Sequence, residues 1–83
     1  MRRQEAIRTI KAAARAGTLI FTDHAREKIA SCCETPDSVA NAIANASAFT
    51  AQPDGTYNVR GEGLAAVVAM RDKVVAVTVY LAG

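Results

Sequence analysis

The chain carries Leu64-Ala65-Ala66-Val67-Val68-Ala69-Met70 and Val74-Val75-Ala76-Val77-Thr78-Val79-Tyr80-Leu81, two apolar runs joined by the polar triplet Arg71-Asp72-Lys73. Valine favours strands, and the triplet has the length of a hairpin turn. Both runs are apolar at almost every position, which is typical of strands in the centre of a sheet or covered on both faces. We therefore expect a central antiparallel hairpin formed by these two runs.

Two shorter strands are expected before this hairpin, at Ala48-Phe49-Thr50-Ala51 and Tyr57-Asn58-Val59-Arg60. Pro53-Asp54-Gly55 separates them, and a proline with fixed φ followed closely by a glycine that tolerates positive φ is typical of a turn. Gly61-Glu62-Gly63 provides a second turn that leads into the central hairpin. The second half of the chain therefore predicts a meander of four antiparallel strands.

The first half of the chain shows helical periodicity. Residues 3–16 place Ile7, Ile10 and Ala14 on one helical face, and Gly17 follows where a C-terminal cap belongs. Residues 18–21 are too few for a helix and are interpreted as a short strand or an extended connector. Two more helices are indicated by their start signals, which are Thr22 or Asp23 for the second helix and Thr35 with Pro36 for the third.

The order of these elements predicts the fold class. Two to three helices come first and about four strands follow, which is typical of an α+β domain with the helices packed on an antiparallel sheet. The chain has 83 residues, so we expect one domain, 1–83, with a small core. No internal repeat or linker interrupts it.

Positive charge is concentrated at the start of the chain. The net charge is +2, and the first fifteen residues hold five cations against the single acid Glu5. Such a bias attracts nucleic acid or an acidic partner protein, but it is equally typical of a solvated helix face. The cations are Arg2, Arg3, Arg8, Lys11 and Arg15.

The two cysteines, Cys32 and Cys33, are adjacent in the chain. A disulfide between neighbours requires unusual geometry, and two thiols with one distant histidine do not make a zinc site. We therefore predict free thiols in a reducing cytosol, no metal and no cofactor, with a vicinal redox switch as the alternative. No apolar signal region follows the basic start, and no apolar run is long enough to span a membrane, so a cytoplasmic location without membrane contact is predicted.

His24 is the single histidine, and it lies at a predicted helix start with Lys28 one turn further on the same face. Imidazole is suited to proton transfer near neutral pH. A helix N-terminus favours its neutral form and attracts anions such as phosphate. The alternative is an exposed polar residue without a chemical role.

Three segments of the sequence resemble a known superfamily: T-D-H-A-R-E-K at 22–28, T-P-D-S-V at 35–39 and V-A-V-T-V-Y at 75–80. In this order, after a basic helix, they resemble small bacterial proteins of the RelE/ParE-like superfamily. The chain is most similar to the MqsR-related and BrnT-related group, which includes small domains of unknown function found beside YgiT-type zinc-finger antitoxins. The resemblance implies helices packed against a curved antiparallel sheet.

The resemblance also implies a function, that of a toxin-like component of a toxin–antitoxin pair that acts as a metal-independent endoribonuclease. Such enzymes direct a 2′-hydroxyl at the adjacent phosphate, which needs a base, an acid and cations. Its implied partners are RNA and an antitoxin protein, of the zinc-finger type in the related systems. The implied catalytic residues are His24, Lys28, Arg60 and Tyr80, and the candidates for binding RNA phosphate are Arg8, Lys11, Arg15, Arg26 and Arg71.

The alternative hypothesis is a non-catalytic binding or dimerisation module with the same fold. Leu64 and Asn58 stand where MqsR-type sequences carry a tyrosine and a glutamine, and 81–83 replaces the lysines expected at the chain end. The two apolar C-terminal strands also offer a surface for a homodimer, because an exposed apolar edge invites strand pairing.

Overall fold

The computed structural model describes residues 2–81 and has three helices and five strands. It confirms the α+β class with the helices at the N-terminal side. Among the described residues, no helix has the length and apolar character needed to cross a bilayer. The elements are α1 (Arg3–Ala16), β1 (Ile20–Phe21), α2 (Asp23–Ser31), α3 (Pro36–Ala44), β2 (Ala48–Ala51), β3 (Tyr57–Gly61), β4 (Leu64–Met70) and β5 (Val74–Leu81).

The sheet is larger and more mixed than the sequence predicts. Its order is β1-β5-β4-β3-β2, so it has five strands instead of about four. The four later strands form the expected antiparallel meander, whereas β1 pairs in parallel with β5. Strands β4 and β5 have neighbours on both sides, which confirms the central position predicted from their apolar runs.

The fifth strand arises from the connector between α1 and α2. Ile20 pairs with Val75 and Phe21 with Ala76, and the backbone N–H of Thr22 donates to the carbonyl of Ala76 at 3.1 Å. The edge of β5 would otherwise present unpaired backbone groups, and the connector satisfies part of that edge. A two-residue strand is too short to show an alternating pattern in the sequence.

All three helices contribute side chains to one core on one face of the sheet. Alternation along β3, β4 and β5 points Val59, Ala66 and Val79 toward the helices, and these three residues lie in one row of the sheet register. The helical side of the core is formed by Ile10, Ala14, Ala25, Ile29, Val39, Ala42 and Ile43. The apolar face predicted for α1 is therefore confirmed, with Ile10 and Ala14 in the core and Ile7 packed against it.

Gly61 lies where the backbone at the end of α3 comes close to the sheet. A Cβ atom built on this residue would lie 2.8 Å from the Cα of Ala46 and 2.9 Å from the carbonyl oxygen of Ala42. Both neighbours are backbone atoms, so no side-chain rotation can make room. Glycine is thus needed at the end of β3 for α3 to pack on the sheet.

The turn between β2 and β3 is held by a carboxylate. The hydroxyl of Thr56 donates to Oδ1 of Asp54 at 2.6 Å, and the backbone N–H of Thr56 donates to the same oxygen at 3.0 Å. The hydroxyl bond first, and then the N–H bond, lower the pKa of Asp54. The predicted turn is therefore closed by hydrogen bonds of its own.

Candidate functional site on the open face of the sheet

The sheet face that points away from the helices carries most of the polar side chains that the strands contribute. We call it the open face, because the buried side chains of the helices pack on the opposite face. Register places Arg60, Ala65 and Tyr80 in one row across β3, β4 and β5. The neighbouring row on the same face is Thr50, Asn58, Val67 and Thr78.

A bulge in β5 determines that Tyr80 belongs to this face. The pairing is regular from Met70 opposite Val74 to Val68 opposite Ala76. It then shifts by one residue, so Val77 has no partner on β4. With uninterrupted pairing, Tyr80 would lie opposite Leu64 and point toward the helices, because a shift of one residue exchanges the two faces. The bulge therefore redirects the phenol from the core to the open face.

The bulge is also tied to the start of α2. The hydroxyl of Thr22 donates to the carbonyl oxygen of Val77 at 2.8 Å and accepts the backbone N–H of Ala25 at 3.1 Å. Of the two predicted start signals, Thr22 and not Asp23 is thus the N-cap of α2, and it is at the same time the partner of the bulged residue. One side chain fixes both the bulge and the first turn of the helix that carries His24.

Replacing Thr22 by alanine is expected to lower the free energy of unfolding by about 1–2 kcal/mol, because the N-cap and the partner of the bulge are lost together. Thr22→Ser keeps the hydroxyl and is the matched control, expected to cost less than about 0.5 kcal/mol. Urea unfolding followed by circular dichroism measures both variants. Equal losses in the two would show that the hydroxyl has no such role.

Tyr80 is joined to Asn58 across the intervening strand. Nδ2 of Asn58 donates to the phenol oxygen of Tyr80 at 2.7 Å. These residues lie on β3 and β5, so the bond requires the phenol ring to lie over β4. This position accounts for the 1% exposure of Ala65 on a face that no helix covers.

The amide of Asn58 is only half satisfied. Its Oδ1 is buried and has no hydrogen-bond partner among residues 2–81. An unpaired buried acceptor costs about 1–3 kcal/mol, and native proteins contain few of them. The sequence gives no sign of this bond, because the two residues are brought together by the register and by the bulge.

Arg60 gives the open face a positive charge. It is exposed, lies two residues from Asn58 on β3 and points to the same side. The residues that strand alternation assigns to this face include no aspartate or glutamate, and the hydroxyls of Thr50 and Thr78 flank the Asn58 row. A guanidinium, a phenol and hydroxyls without a competing carboxylate are suited to a phosphate group.

His24 and Lys28 lie on α2 and are both exposed. The structure therefore brings together Arg60 and Tyr80 on the open face, and it places His24 and Lys28 in the helical layer. No hydrogen bond within residues 2–81 joins either α2 residue to the open face. The bonds from Thr22 to β5 nevertheless fix the first turn of α2 beside the edge of the strand that carries Tyr80.

The predicted phosphate-binding cations occupy three separate places. On α1, Lys11 lies 5.7 Å from the ring centre of Phe49, and Arg15 Nη2 donates to the carbonyl of Ala44 at 3.5 Å. These two side chains stabilise the packing of α1 as well as carrying charge. The others are exposed, with Arg8 on α1, Arg26 on α2 and Arg71 in the turn before β5.

Cys32 is partly buried and Cys33 is exposed, and neither is joined in a disulfide within residues 2–81. Cys33 has a φ of 57° and ends α2 in the left-handed conformation that usually favours glycine. Within the described part of the chain, no group of three or more histidine, cysteine, aspartate or glutamate side chains is arranged to hold a metal ion.

Comparison with known proteins gives this chain no family. No protein-family model, no curated protein and no solved structure matches it.

Proposed function

We propose that this chain is a toxin-like, metal-independent endoribonuclease that binds single-stranded RNA across the open face of its sheet. The observation that carries this proposal is the convergence of Arg60, Tyr80 and Asn58 on one uncovered face. A cation beside a phenol is a suitable pair for an RNA phosphate and an unpaired base. The basic net charge and the resemblance to RelE-like proteins support the same conclusion.

The direction of the bound RNA follows from the register. Arg60 and Tyr80 lie in one row separated by β4, which puts their backbones about 10 Å apart at the usual strand spacing. Beyond β5, Thr22 holds the first turn of α2 against that strand at Val77, three residues before Tyr80. RNA that runs from Arg60 over Tyr80 must therefore turn along the edge of β5 to reach His24 and Lys28 on α2.

The proposed chemistry is transesterification. The 2′-oxygen attacks the adjacent phosphorus while its proton passes to His24, and the bond to the 5′-oxygen breaks as that oxygen takes a proton from solvent water. Lys28 stabilises the negative charge that builds on the oxygens of this phosphate, while Arg60 and the Tyr80 phenol hold a neighbouring phosphate of the same RNA strand on the open face. The products are a 2′,3′-cyclic phosphate and a free 5′-hydroxyl. An antitoxin that covers the open face is the partner expected for such a protein.

Purified chain incubated with single-stranded RNA in the presence of EDTA tests this proposal. We expect fragments that end in 2′,3′-cyclic phosphate, together with arrested growth and degraded transcripts when the chain is expressed in bacteria. The double variant Arg60→Ala, Tyr80→Phe is the control and should leave RNA intact. Intact RNA and normal growth with the wild-type chain at high expression would contradict the proposal.

A non-catalytic dimerisation module is the second candidate function. It is favoured by Ile20, which is 40% exposed and pairs with Val75 in an apolar part of the same sheet. A second copy of the chain would cover these side chains. Light scattering separates the candidates, because a stable dimer whose RNA remains uncut would support the module and a monomer would favour the nuclease.

A further inference from the structure

The hydrogen bond between Asn58 and Tyr80 contributes little to the stability of the sheet. One amide atom donates to the phenol oxygen at 2.7 Å, whereas Oδ1 is buried without a partner in the described chain. Apolar side chains of similar shape would fill this space without an unpaired acceptor, because β4 presents Ala65 and Val67 beneath them. A buried group that costs stability requires an explanation in terms of function.

The direction of the hydrogen bond suggests what that function is. A phenol oxygen can accept a hydrogen bond and has one proton of its own to donate. Because Nδ2 of Asn58 occupies the accepting side, the proton of Tyr80 is left for another group. Arg60 is the cation next to this pair on β3, so a phosphate held by Arg60 is the acceptor within reach.

We infer that Asn58 is a positioning residue that holds the Tyr80 phenol over β4 with its proton directed at an RNA phosphate, an inference that rests on the proposed function. Asn58 itself does not contact the RNA. Its contribution to RNA affinity therefore depends entirely on the phenol hydroxyl. Two residues that act through one hydrogen bond show non-additive effects when they are replaced together.

A double-mutant cycle tests this dependence. The probe is a fluorescein-labelled, single-stranded oligoribonucleotide with 2′-O-methyl riboses, which binds but is not cleaved because the attacking hydroxyl is blocked. We expect Tyr80→Phe to weaken binding about tenfold and Asn58→Leu to weaken it by a similar factor. The double variant should bind no more weakly than Tyr80→Phe alone.

The stability of the variants gives a second readout. If Asn58 had only a structural role, replacing it would lower the urea midpoint, whereas a positioning role predicts the opposite. The urea midpoint of Asn58→Leu should equal or exceed that of the wild-type chain, because the unpaired acceptor is removed. If Asn58→Leu does not fold, Asn58→Thr, which is smaller and suited to a strand, enters the same cycle.

The possible outcomes separate the role of Asn58 from the proposed function. Additive losses of about a hundredfold in the double variant, or a lowered urea midpoint with unchanged RNA affinity, would overturn the role assigned to Asn58 alone. Failure of the wild-type chain to bind the oligonucleotide would overturn the proposed function, and this inference with it, before any variant is measured.

Discussion

Gly61→Ala is expected to lower the free energy of unfolding by about 3 kcal/mol, which is a large part of the roughly 4–12 kcal/mol typical of a domain of this size. The new methyl group would lie 2.8 Å from the Cα of Ala46 and 2.9 Å from the carbonyl of Ala42. Relief requires α3 to move away from β3, which opens the core around Val59. Urea unfolding monitored by circular dichroism measures the loss.

Gly63→Ala is the matched control for this variant. Gly63 has a φ of 78°, but a Cβ atom added to it would have no neighbouring atom within 4 Å, so alanine meets backbone strain without a steric clash. We expect a cost of about 1 kcal/mol. A loss for Gly61→Ala no larger than that for Gly63→Ala would show that α3 does not pack on the sheet as described.

His24→Ala is expected to reduce RNA cleavage by a factor of about 10² or more, because the proposed base for the 2′-hydroxyl is removed. His24 is exposed and has no hydrogen bond through its side chain within residues 2–81, so stability should change by less than about 0.5 kcal/mol. Initial rates of cleavage of a labelled single-stranded RNA, measured in EDTA, give the effect.

Arg26→Ala is a suitable comparison for His24→Ala, because it removes an exposed side chain from the same helix that is assigned only to phosphate binding. It should weaken binding mainly at low salt and leave the maximal rate close to that of the wild-type chain. If His24→Ala cleaves RNA as fast as Arg26→Ala at saturating RNA, His24 is not the base.

The central hairpin and the helices could be predicted because their signals are local. The apolar runs 64–70 and 74–81 form strands as expected, and Thr35 with Pro36 marks the start of α3. Local signals leave residues 18–21 open between a short strand and a connector, since Ile20 and Phe21 form a strand only because the edge of β5 is beside them. The mixed sheet is a tertiary effect.

The site was only partly predictable for the same reason. The resemblance implies Arg60 and Tyr80 as site residues, but their shared face depends on the bulge at Val77, which no sequence pattern marks. Without the bulge, Tyr80 would point to the core. The pairing of Asn58 with Tyr80, 22 residues apart, is likewise a consequence of register.

Mapping the RNA contact by NMR tests the central claim most directly. A short single-stranded 2′-O-methyl oligoribonucleotide is titrated into ¹⁵N-labelled chain, and the amide shifts are followed residue by residue. We predict that the largest changes lie on β3 and β5 around Asn58, Arg60 and Tyr80, and continue to the first turn of α2. Changes confined to the cations of α1, or none at all, would contradict RNA binding on the open face.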